Sequence, residues 1–206
     1  MTDAQNTLGE DIAYLKTLAE EGRAAPVLAG PYMALGGGLF GLTSLLAYAI
    51  TAGFLPLPAQ ALGWIWPASG LAFVFALPLL NRRTRSRLGS ASTLNETIGV
   101  IWTQAGMVIG VLFCALLFAG FRTSDWGVFN LFPSVILALY GLCWMAAAHI
   151  GRTPWLRRVG IGSFIASVAI AGQAAGGPLL WLAYAIALFA LGLAPGLQLM
   201  RQEGRR

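Results

Sequence analysis

Charge is scarce in this chain. Its 206 residues include 13 Lys and Arg, 8 Asp and Glu and one His, so 10% are charged. A water-soluble domain carries roughly 25%, and most of this surface therefore cannot face water. The long apolar stretches contain no Asp, Glu, Lys, Arg or His in their central parts; Glu96, His149, Arg157 and Arg158 only touch their ends. That absence argues against a proton-coupled carrier or an intramembrane protease, both of which use ionisable groups at depth. One histidine and two cysteines are too few ligands for a metal or haem centre. No phosphate loop, nucleophile elbow or zinc-protease helix occurs. The sequence assigns no catalytic, cofactor-binding or metal-ligating residue.

What is abundant is hydrophobicity, at 57% of residues and a mean hydropathy of +0.72. Residues 36–54, 71–80, 109–121, 136–148 and 181–200 form long apolar runs without strict alternation. A membrane barrel strand needs only ~10 alternating residues, whereas a spanning helix needs about 20. Helices are expected, because each segment in lipid must satisfy its own backbone hydrogen bonds.

Six spans are predicted: Pro31 to Ala52, Leu62 to Leu80, Glu96 to Phe121, Gly127 to His149, Leu156 to Gly172 and Pro178 to Met200. The second contains Pro67 and Pro78, and the fifth is the least hydrophobic. Six spans leave twelve of the thirteen basic residues on one side, with only Arg122 opposite, beside Asp125. The positive-inside rule then places both termini in the cytoplasm. Trp64, Trp66, Trp126 and Trp181 fall near outer helix ends, and Trp102, Trp144 and Trp155 near inner ends, as an aromatic belt requires. The net charge of +5 is divided among short loops without aromatic platforms, which fits a topology signal and anionic lipid headgroups and not nucleic acid.

Residues 1–25 are polar and acidic, the reverse of a signal peptide, so the first span is expected to act as its own insertion signal. Within this segment, residues 7–22 predict an amphipathic cytoplasmic helix. Thr7 and Glu10 have capping-box spacing, and Leu8, Ile12, Leu15 and Leu18 share one face. That face and the loop arginines Arg82, Arg83, Arg85 and Arg87 form a candidate cytoplasmic interaction surface for a protein partner. Residues 26–200 are then the membrane domain and 201–206 a cytoplasmic tail.

Neutral polar residues punctuate the spans. Gln104, Tyr140, Asn130 and Ser69 make up a candidate polar pocket, with Gln104 and Tyr140 the deepest. Hydrogen bonding between helices is the simpler role for such groups, worth about 0.6 kcal/mol each. Thr93 and Glu96 repeat the capping-box spacing at the start of the third span. His149 suits the negative end of the fourth helix dipole. Cys114 and Cys143 differ by roughly 14 Å in depth at 1.5 Å per residue, too far for a disulfide. The spacings Gly37 to Gly41 and Gly106 to Gly110 read as close helix contacts.

The stretch from Glu10-Asp11-Ile12 through Leu18-Ala19-Glu20-Glu21-Gly22-Arg23, then Pro26 and the glycine-rich first span, resembles the opening of a group of small bacterial six-span membrane proteins. A Pro195-Gly196 turn before Leu199-Met200-Arg201 is similar to the way that group ends. The resemblance implies a multi-pass inner-membrane protein and carries over no activity and no functional residue. The expected fold is therefore an all-α membrane protein, six transmembrane helices preceded by a short cytoplasmic amphipathic helix. Its expected role is that of a non-enzymatic sensor, regulatory partner or assembly factor, working through its cytoplasmic helix and arginine loops. A small transporter for a neutral or weakly polar solute is the alternative, and the oligomeric state stays open. An enclosed polar cavity near mid-bilayer would favour transport; a solid apolar core would favour the first role.

Overall fold

The computed structural model describes residues 27–85 and 92–203, and everything described is helix or connecting turn, without strands. The elements are α1 (Gly30–Thr51), α2 (Leu62–Arg85), α3 (Thr93–Thr123), α4 (Phe132–Ile150), α5 (Pro154–Ala171), α6 (Pro178–Leu188), a π-helical turn (Phe189–Leu193) and α7 (Ala194–Glu203). Short 3-10 turns at Ala59–Ala61 and Trp126–Leu131 lead into α2 and α4. The last three elements form one rod from Pro178 to Glu203. The predicted helix over residues 7–22, with Leu15 and Leu18, lies outside the described residues, as do Arg87 and the end of the tail.

Five helices are long and apolar enough to cross a membrane: α1, α2, α3, the stretch Trp126–Ile150 containing α4, and the final rod. The 18-residue α5 is not among them. Arg157 and Arg158 lie in its first turns, which shortens the apolar part below the length a span needs.

Proline starts several helices. Pro31, Pro133, Pro154 and Pro178 occupy first-turn positions, where a missing N–H costs nothing. The start of α3 differs from the capping box expected at Thr93. Ser92 is the N-cap, in extended backbone, and its hydroxyl accepts the Asn95 N–H at 3.3 Å. The cap therefore sits one residue earlier. The Asn95 side chain donates to the Ser92 hydroxyl at 3.1 Å and accepts the Leu28 N–H at 2.9 Å, which ties the entry of α1 to the start of α3.

The basic helix ends gather at one end of the bundle. There Tyr32 of α1 donates to Asn81 of α2 at 2.7 Å. Val27, Leu94, Ala147, Leu156 and Leu199, from five different segments, share one buried apolar cluster at that same end. A second cluster of Leu137, Ile170, Leu180, Tyr184 and Leu188 fills the other half. Tyr140 packs against both.

Coverage is uneven. α4 and α5 pair most extensively, and α1 lies along the final rod. By contrast, none of the apolar window of α2 is buried and almost none of that of α3. α2 leans on α1, and α3 leans on α4.

Candidate functional site

The four residues of the expected polar pocket go to different places. The Ser69 hydroxyl lies 2.7 Å from that of Thr43, joining α2 to α1, and also donates to its own helix at the Ile65 carbonyl. Asn130 precedes α4 and donates to the Ala174 carbonyl at 3.1 Å, clasping two turns at the end that carries Arg122. Tyr140 is half-buried, its ring edge-on to Trp102 with centroids 5.3 Å apart. Gln104 is exposed on the outside of α3. No hydrogen bond joins any two of the four among the described residues, so they do not form one pocket. Of the expected cytoplasmic surface, Arg82 and Arg83 are exposed near the end of α2, and Arg85 closes that helix.

The densest convergence is elsewhere, where α1 crosses the final rod. A Cβ on Gly37 would collide with the backbone nitrogen of Leu193 and lie 2.7 Å from the Gly192 carbonyl carbon. A Cβ on Gly196 would meet the Ala34 nitrogen and lie 2.8 Å from the Gly30 carbonyl oxygen. One on Gly41 would fall 2.5 Å from the Phe189 ring. Backbone thus lies on backbone, which only glycine permits. The Gly37 to Gly41 expectation is met here. The Gly106 to Gly110 expectation is not: nothing lies within 4 Å of a Cβ at either position. Spacing reveals that a face is small but not which face turns inward.

The π turn at this crossing has a chemical partner. Pro195 has no N–H to offer the carbonyl four residues back, that of Leu191. The Trp144 indole N–H takes this carbonyl at 3.0 Å, and Trp144 is fully buried. This corrects two expectations. Pro195-Gly196 is not a turn, because the rod continues through it to Glu203. Trp144 is a core hydrogen-bond donor, not a belt residue. Trp102 packs edge-on to it at 5.1 Å, and Trp66 faces Trp181 at 5.3 Å. The fully exposed-ring pattern of a belt survives at Trp64 and, in part, Trp126. A proline within an apolar run was the available signal that some donor must reach Leu191; which donor depends on packing.

Other polar groups also pair across helices. Ser134 of α4 and Ser167 of α5 exchange hydroxyl-to-carbonyl bonds, each 2.8 Å. Among the described residues, the buried Ser44 and Thr84 hydroxyls and the Trp66 and Trp102 indole N–H groups lack a hydrogen-bond partner. Both cysteines are free, Cys143 buried and Cys114 exposed. His149 is exposed in the last turn of α4. No cluster of three His, Cys, Asp or Glu side chains that could hold a metal ion occurs among the described residues. An open groove of about 480 Å³ on α5, lined by Phe164, Ile165, Val168 and Ala169, is wholly apolar in its side chains. Comparison with protein-family models, with curated proteins and with solved structures gives no match for this chain.

Proposed function

We propose that this is a multi-pass protein of the bacterial inner membrane, with six spans and both termini in the cytoplasm. It acts without chemistry of its own, as a regulatory or assembly partner that meets a cytoplasmic protein through residues 7–22 and the neighbouring arginines. The observation that carries this reading is how the polar groups between helices are used. Thr43 with Ser69, Ser134 with Ser167, and Trp144 with Leu191 are paired off helix to helix. Two apolar clusters fill the space around them. A solute pathway needs such groups turned toward water instead. The fifth of these spans is α5, whose Arg157 and Arg158 would reach the headgroups by snorkelling from its basic end.

The test separates partner from transporter. Ser69→Cys and Ser167→Cys, made singly, should resist a membrane-impermeant thiol reagent in intact cells until the protein is denatured. Prompt labelling at both would overturn the solid-bundle reading in favour of a water-lined path. A photo-crosslinking residue at Leu15 or Leu18 should give an adduct with a cytoplasmic protein; adducts only within the chain would sink the partner role. A reporter active only outside the cytoplasm should be silent after Arg206 and active at Ser124, and the opposite pattern would reverse the orientation.

A further inference from the structure

The outer face of α3 carries a feature that lipid cannot accommodate. Val100, Gln104, Met107, Val111, Cys114 and Phe118 recur at alternating spacings of four and three residues. All six are exposed. This is the a/d period of a two-helix seam. It runs for roughly 27 Å at 1.5 Å per residue, close to the ~30 Å thickness of a bilayer core.

Five of the six side chains suit lipid, but Gln104 does not. Its depth follows from neighbouring contacts. Trp102 packs on Tyr140 and Trp144, which lie nine and five residues from His149 toward the membrane centre. Gln104 is two residues further along α3, about 3 Å deeper. An exposed carboxamide there has two N–H donors and a carbonyl, and hydrocarbon satisfies none of them. No side chain or backbone group of the described chain bonds it. Tyr140, the other deep member of the expected polar pocket, packs against the two apolar clusters instead.

We propose that α3 pairs with the α3 of a second copy of this chain along this seam. The two Gln104 carboxamides bond to each other across a twofold axis normal to the membrane. The occupant follows from the chemistry of the group. A carboxamide is complementary to itself, donor to acceptor and acceptor to donor. A twofold axis along the membrane normal sets identical helices parallel and identical residues opposite each other. A lone polar residue in an otherwise apolar seam fixes register, as buried asparagine does in coiled coils. The same axis brings the two Cys114 side chains face to face. This pairing rests on α3 crossing the membrane and is independent of which cytoplasmic protein, if any, is bound.

The native cysteine supplies the test on the full-length chain in its membrane. A short membrane-permeant bismaleimide should give a band of twice the monomer mass. Cys114→Ser should abolish it and Cys143→Ser should leave it. In the Cys114→Ser background, Val111→Cys should restore the band and Val108→Cys, exposed but off the seam, should not. Gln104→Leu should weaken dimerisation about three- to tenfold by energy transfer between labelled copies in vesicles, from the ~0.6–1.4 kcal/mol of a membrane hydrogen bond. Gln104→Asn should retain most of it. Equal crosslinking at 108 and 111, no crosslink at Cys114, or an adduct with a different protein would each overturn the pairing. Resistance to alkaline extraction, measured alongside, reports membrane insertion separately. A monomer that resists extraction refutes the pairing alone, and a chain that is extracted refutes the membrane reading.

Discussion

The crossing of α1 with the final rod and the outer face of α3 use the same residue type for opposite ends. Both carry glycines a turn apart. At the crossing, Gly37 and Gly196 let two backbones touch, and any added carbon strikes backbone atoms that cannot yield. On α3, Gly99, Gly106 and Gly110 have open space around them. The difference lies in the opposing surface, not in the glycines. The final rod presents its own glycines and a π-helical turn to α1, whereas no described element covers that side of α3.

The sharpest way to break this contrast is a single methyl group placed on each side. Gly37→Ala should destabilise the folded protein by on the order of 3 kcal/mol, since neither backbone can move away without unpacking the rod. Gly106→Ala should leave stability unchanged or raise it by up to about 1 kcal/mol, because alanine is the better helix former. Thermal unfolding in a mild detergent compares the two directly. Similar losses at both sites would mean that α3 is covered by its own chain after all.

Next in size is the tryptophan that serves the π turn. Trp144→Phe keeps most of the buried ring but leaves the Leu191 carbonyl without a donor. The expected cost is about 2 kcal/mol, the penalty for an unsatisfied buried acceptor. Pro195→Ala in the same background supplies the missing N–H and should recover part of that loss. If Trp144→Phe is neutral, the indole bond is incidental to the π turn.

The smallest effect tests the paired hydroxyls. Thr43→Val and Ser69→Ala should each cost about 0.6 kcal/mol, since the two hydroxyl protons between them serve the bond across the helices and only one of the Leu39 and Ile65 carbonyls. Their double mutant should cost less than the sum, as expected of groups in contact. Strict additivity would show that the hydroxyls bond only within their own helices.

These cases also mark what could be read before folding. The runs at residues 36–54 and 181–200 were legible as helices because lipid allows no alternative for long apolar segments. Gly37 and Gly41 were legible as contacts because helical spacing puts them on one face. Gly106 and Gly110 share that spacing but not that fate, since burial depends on what other helices do. Trp144 was misplaced for a related reason: a position near a helix end is compatible with both a headgroup belt and a core. The Ser92 cap escaped because Thr93 offers the same chemistry one residue later, and local sequence does not distinguish them. For the candidate site, Ser69 as a helix-to-helix bond was within reach of sequence. The separation of Gln104 from Tyr140 was not, because it depends on the rotation of α3 about its own axis.

The π turn sets that kind of rotation for the final rod. It holds the Ala194 N–H on the Phe189 carbonyl five residues back, one residue more than a regular helix uses. Relative to an unbroken α-helix of the same sequence, the extra residue sets everything beyond it back by about 100° around the rod axis. Upstream of it, Leu180 and Leu188 point into one apolar cluster. Downstream, Gly196 lies on α1 and Leu199 enters the cluster at the basic end. An unbroken α-helix of the same residues would swing Gly196 and Leu199 off α1, whereas deleting one residue between 189 and 193 would restore regular α-helical bonding and leave both on α1. The local irregularity is thus a phase adjuster, which lets one straight segment serve two cores whose seams are out of step.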